Sequence, residues 1–212
     1  MFGHDDIRWI RIGIVGGLAA SALYPVLLFA PLPLAVTAAV AALLGPAIGV
    51  GSLGLYHLVR LHGSSVAAAL GAILNLLAGC LFTAMALVQL AVRARASEGA
   101  RDLVGVWLGL DVAWDVYIGL GTLAFGWAVR RHPRFGWAFA VSGLSLGLLV
   151  IVLNLIPFPI PPAEAGSFDI GPFVGLWYLA ATIQAWRSLP WAREQLSKPE
   201  RDKPPVGERA DP

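Results

Sequence analysis

The sequence predicts an all-α fold: a polytopic transmembrane bundle of six helices, with both termini cytoplasmic. Three observations predict it. Six apolar runs each reach the roughly 20 residues needed to cross about 30 Å of hydrocarbon at 1.5 Å per residue. Only 13% of the 212 residues are charged and 58% are hydrophobic, whereas a soluble domain carries about 25% charged residues. The Lys and Arg residues stand at the ends of the apolar runs, which is a topology pattern and not a binding stripe.

The first run covers 9–30. It follows MFGHDDIRWIR, acidic before it is basic, is too long for a signal-peptide core and leads straight into a second run. It therefore reads as an uncleaved first helix. Pro31 and Pro33 turn the chain into the second span, 34–60, and Gly63 and Ser64 turn it into the third, 64–92. RARASEGARD leads to the fourth, 103–130, and RRHPR to the fifth, 135–158. The connection PFPIPPAEAGSFD is proline-rich and acidic, so an ordered non-helical loop is expected before the sixth span, 170–189. These spans make one domain, 1–191. Residues 192–212, charged and rich in Pro, are expected to form a disordered cytoplasmic tail.

Orientation follows from the positive-inside rule. With both termini inside, only Arg93, Arg95 and Arg101 of the fifteen Lys and Arg fall outside. That exception marks either a short interfacial helix at RARASEGARD or a miscounted span. An inverted-repeat transporter would need helices one to three to echo four to six. Asn75 and Asn154 do not occupy matching places, and no strong repeat is present.

Several chemistries are excluded or disfavoured. The net charge of +2 is too small to suggest a nucleic-acid partner. The lone Cys80 offers neither an internal disulfide nor a thiol metal site. Gly49 to Gly54 spell GxGxxG, but within a span and with no acidic residue before Glu98, whereas a dinucleotide site needs a strand-to-helix loop. Gly143 to Gly147 spell GxSxG within a uniform helix, where no strained elbow presents Ser145. A retinal Schiff base needs an intramembrane lysine, and Lys198 and Lys203 both lie in the tail. His4, His57, His62 and His132 all fall on the cytoplasmic side and read as interfacial side chains beside Tyr56 and Arg60. No cofactor, metal or catalytic set is expected.

Small residues recur four apart: Gly13, Gly17 and Ser21; Ala67, Gly71, Asn75, Gly79 and Thr83; Gly143 and Gly147. Such stripes let helix backbones approach closely in lipid, so they are expected to be the inner seams of one bundle. The same faces could dock a partner membrane protein or a second copy.

Two aspartates interrupt the fourth span. Asp111 and Asp115, four apart, lie on one helix face, which Gly119, Thr122 and Gly126 continue. Entry near Leu103 puts Asp111 about 12 Å and Asp115 about 18 Å into the membrane. A polar face on a spanning helix is expected to turn inward. No Lys or Arg shares their depth unless one of Arg93, Arg95 and Arg101 reaches down, so at least Asp115 is expected to hold its proton near neutral pH. Candidate companions at comparable depth are Asn75, Gln89, Asn154 and Tyr178. The pair reads either as a proton or cation relay, or the polar floor of a ligand pocket, or as structural glue between helices.

The stretches WDVYIGLGTLAFGW, RRHPRFGW and LNLIPFPIPPAEAGSFDIGPFVGLWYLAATIQ resemble a group of small six-helix bacterial membrane proteins of unknown function. The resemblance implies the same architecture, with the PPAEAGSFD loop packed near the outer ends of helices four and five. It assigns no site residue. The expected function is a multi-pass protein of the bacterial inner membrane that binds or passes a small solute or proton through an outer-facing polar cavity. A non-catalytic assembly subunit docking through its glycine seams is the alternative.

Overall fold

The structure, a computed structural model, describes residues 4–95, 100–158, 160, 166 and 168–197. Among these the chain is all α, with seven helices: α1 (His4–Phe29), α2 (Leu34–Arg60), α3 (Val66–Arg95), α4 (Ala100–Val129), α5 (Gly136–Leu155), α6 (Gly171–Arg187) and α7 (Leu189–Ser197). Five of them, α1 to α5, are long and apolar enough to cross a membrane. They stop where the sequence withdraws the means to continue. Pro31 and Pro33 supply no amide hydrogen after α1, and Gly136, at φ +78°, takes a left-handed conformation as the chain enters α5.

The departure from six equal spans lies at the C-terminal end. With 17 residues, α6 is only about 26 Å long. The helix breaks at Ser188, whose hydroxyl donates to the Gln184 carbonyl at 2.7 Å. Pro190, tolerated in a first turn, then opens α7. This helix occupies the start of the expected tail: Ala192 is buried, and Trp191 packs on the cluster of Ile10, Leu58 and Ala185. Residues 198–212, residues 96–99 of RARASEGARD and most of PFPIPPAEAGSFD lie outside the described residues, and with them the expectations placed there.

Each of α1 to α5 packs against the next. The ring closes through α6, which touches α5, α1 and α2. Glycines set the close approaches. Gly13 faces Gly54 between α1 and α2, Gly45 faces Gly79 between α2 and α3, and Gly119 faces Gly147 between α4 and α5. A Cβ at any of these would run into the facing helix, so the small-residue stripes are inner seams. The GxGxxG and GxSxG spacings belong to the same device: Gly51 lies on Gly17, and Gly143 lies on the Trp177 ring. Outward, Val15, Leu43, Ile73, Leu148 and Leu176 are all more than half exposed. An apolar surface of that extent suits lipid and not water. The start of α1, the end of α2, the turn before α5 and α7 meet at one end of the bundle, around Ile10, Leu61, Phe135 and Trp191.

Candidate functional site

A cavity of about 300 Å³ runs between α1, α2, α4 and α6. Its α1 wall extends from Ile10 to Phe29, nineteen residue rises or about 28 Å, so it is a slot and not a compact chamber. Small side chains line it: Ala20, Gly175 and Ala181 stand on its wall. At Gly175 an added Cβ would meet nothing within 4 Å. Most lining residues are apolar.

Asp115 is the one charged residue on the wall among those described. Two hydroxyls on the same wall are already engaged within their own helices: Ser21 donates to the Gly17 carbonyl at 2.8 Å and Thr182 to the Tyr178 carbonyl at 2.8 Å. Among the described residues, neither the Asp115 carboxyl nor the Tyr24 hydroxyl has a hydrogen-bond partner, and no cation pairs with Asp111, Asp115 or Asp169. Asp111 and Asp169 lie within electrostatic reach of Asp115, and all three lie within reach of Tyr24. Asp169 has one definite task, accepting the Gly171 N–H at 2.9 Å at the start of α6.

Beside the slot lies a buried polar node that joins four helices. Asn75 on α3 donates one amide hydrogen to Ser52 of α2 at 2.8 Å and the other to the Tyr178 oxygen of α6 at 2.8 Å. Thr122 of α4 lies 3.1 Å from the same oxygen and 2.7 Å from the Ile118 carbonyl. A hydroxyl has one hydrogen. Thr122 gives its hydrogen to Ile118, so Tyr178 donates its own to Thr122. The Asn75 carbonyl oxygen is buried against Gly121 without a partner among the described residues. A side chain at Gly121 would collide with it.

The structure thus brings Asn75 and Tyr178 into direct contact and places Asp115 and Tyr178 on one cavity. It does not gather the other candidates. Asp111, one turn nearer the start of α4, is not on the cavity wall. Asn154 is buried and donates to the Val150 carbonyl of its own helix at 2.9 Å. Gln89 is half-buried on α3, away from the cavity. Arg93 pairs with none of the aspartates among the described residues, and the side chains of Arg95 and Arg101 lie outside what is described. Sequence reasoning did not single out Ser52, Tyr24 or Asp169. The signal for Ser52 was there: it is a hydroxyl within a glycine-rich helix at Asn75's depth.

His57, and His62 with His132, form two separate groups at the other end. Asp6, buried, accepts from His57 Nδ1 at 2.7 Å and from Arg60 at 2.9 Å. Trp9 stacks on His57 with ring centroids 5.8 Å apart, and Arg60 lies over Tyr56. This clips the start of α1 to the end of α2. His132, also buried, contacts the rings of His62, Phe135 and Trp191 at 5.1–5.5 Å. Burial, then the neighbouring His62, hold its pKa down to about 4 from the usual 6.5; the Leu58 carbonyl opposes this. His132 is an interior group and departs from the expected interfacial setting. No cluster of three metal-ligating side chains occurs among the described residues.

Comparison with known protein families, with characterised proteins and with solved structures finds no match to this chain.

Proposed function

We propose that the chain is a multi-pass protein of a bacterial inner membrane, with α1 to α6 as its six spans and both ends cytoplasmic. In this reading it binds a small solute within the membrane through Asp115. One observation carries the reading: a carboxyl without a protein partner stands on the wall of a cavity of about 300 Å³, a volume within the range of ligand pockets. A polar side chain serving only as glue between helices would be engaged by a neighbour, as Asn75 and Asp6 are. The mainly apolar wall favours binding over conduction, because a proton path needs successive polar groups.

Cysteine accessibility tests it. In a Cys80→Ser background, Gly175→Cys should react in membranes with a small uncharged thiol reagent. Ala78→Cys, at a fully buried position, should not. Failure of Gly175→Cys to react, or equal rates at both positions, would remove the accessible cavity.

The alternative, an assembly subunit, draws on Gly105 and Gly109. Four apart and exposed, they leave open space where a Cβ would stand, so this small-residue face is unused within the chain. Crosslinking at Gly109→Cys in native membranes would reveal a partner helix there.

A further inference from the structure

We propose that the occupant of the slot is a single-chain amphiphile with a cationic ammonium head. The head is seated between Asp115 and Tyr24, and the chain runs along α1 towards Ile10. This rests on the cavity reading above and names its ligand class.

Shape argues for a chain. From Tyr24 to Ile10 the α1 wall runs fourteen residue rises, about 21 Å, past Ile14, with Leu55 and Ala181 on the other walls and Asp115 the one charged residue among the described lining. The hydroxyls of Ser21 and Thr182 along this stretch are bound to their own helices, so the wall presents hydrocarbon. A compact polar solute would leave most of that length empty or desolvated without partners.

Charge argues for the head. Asp115, Asp111 and Asp169 act on one another or on Tyr24 at the same end of the slot, and no cation among the described residues offsets them. An ammonium there draws the Asp115 carboxyl, expected to hold its proton in the empty slot, into its ionised form and gains a charge-assisted hydrogen bond to it. Two neutral acceptors stand by. The Tyr24 oxygen is one. Pro25 removes the amide hydrogen that the Ser21 carbonyl would otherwise receive, which makes that carbonyl the other, and both residues line the cavity. A phospholipid phosphate or a fatty-acid carboxylate gains no such bond there and stands near the carboxyls of Asp111 and Asp169, so the surrounding lipid is a poor occupant of this end.

Three probes of one chain length separate the terms: dodecylamine, dodecanol and dodecanoate, each measured for saturable binding to the full-length protein in nanodiscs, with empty nanodiscs as the partition control. The amine should bind saturably, and the alcohol and the acid about tenfold or more weaker, the equivalent of one charge-assisted bond. Asp115→Asn should lose the preference for the amine. Gly175→Leu, a residue that fills open space, should abolish binding of all three. Equal binding of alcohol and amine, or an amine preference that survives Asp115→Asn, overturns the ammonium head while leaving the cavity reading intact. Amine binding unchanged in Gly175→Leu, or no saturable binding at all, overturns the occupant altogether. The cavity reading is then judged separately by the reactivity of Gly175→Cys.

Discussion

The side-chain amide of Asn75 donates to the phenol oxygen of Tyr178 across 2.8 Å, which ties α3 to α6 across the interior of the ring. Tyr178 also lines the slot, so the node fixes one wall of the site. Tyr178→Phe removes the shared hydroxyl and strands an Asn75 N–H and the Thr122 oxygen. The expected loss is about 1–3 kcal/mol in equilibrium unfolding in detergent. Thr122→Val should cost about 1 kcal/mol. The double variant should cost less than the two singles added, because both remove the same bond. Strict additivity would show that the two hydroxyls do not interact.

The clip between α1 and α2 makes a second prediction. Asp6→Asn removes the charge that holds His57 and Arg60 together. Because His57 and Arg60 are partly exposed, the loss should be modest, about 2 kcal/mol. High salt should reduce the stability of the wild type little, since Asp6 itself is buried. Protease sensitivity near the start of α1 reads the same event locally.

His132 predicts a pH dependence of definite sign. Its folded pKa, about 4, lies below the usual 6.5, so between these values the unfolded chain binds more protons. Stability attributable to this group is present above about pH 6.5 and is lost as the pH falls towards about 4, by up to about 3 kcal/mol. His132→Phe keeps a ring among Phe135, Trp191 and His62 and should flatten that part of the melting curve against pH. An unchanged slope in the variant would assign the acid sensitivity to other groups.

Glycines sort into two kinds by what faces them. Gly45→Val meets the backbone of Gly79 and should cost several kcal/mol or prevent folding. Gly109→Val meets nothing within 4 Å and should change stability by less than about 1 kcal/mol. Thermal melting of the two variants side by side checks the packing directly.

The helices were legible because each apolar run is bounded by residues that end helices, such as Pro31, Pro33 and Gly63. The break at Ser188 was not, because Pro190 can stand inside a first turn, and only the packing of Ala192 and Trp191 shows α7 as a helix of its own. The spacing of Asp111 and Asp115 placed them on one face. Which of them reaches a cavity depends on how α4 is rotated against α1 and α6, and spacing carries no record of that. Asn154 and Gln89 failed as companions for the same reason: depth can be counted along a helix, whereas azimuth is set by neighbours. The interior setting of His132 depends on Trp191, 59 positions away in the chain.

Whether the carboxyl of Asp115 serves the fold or an occupant of the slot is decided most directly by thermal melting of Asp115→Asn beside the wild type in detergent, from acid to alkaline pH. Asparagine keeps the shape and gives up the ionisable proton. The account predicts that the variant melts as high as the wild type or higher, because no described residue depends on that carboxyl. A loss of several degrees at every pH would make Asp115 part of the scaffold and contradict the account.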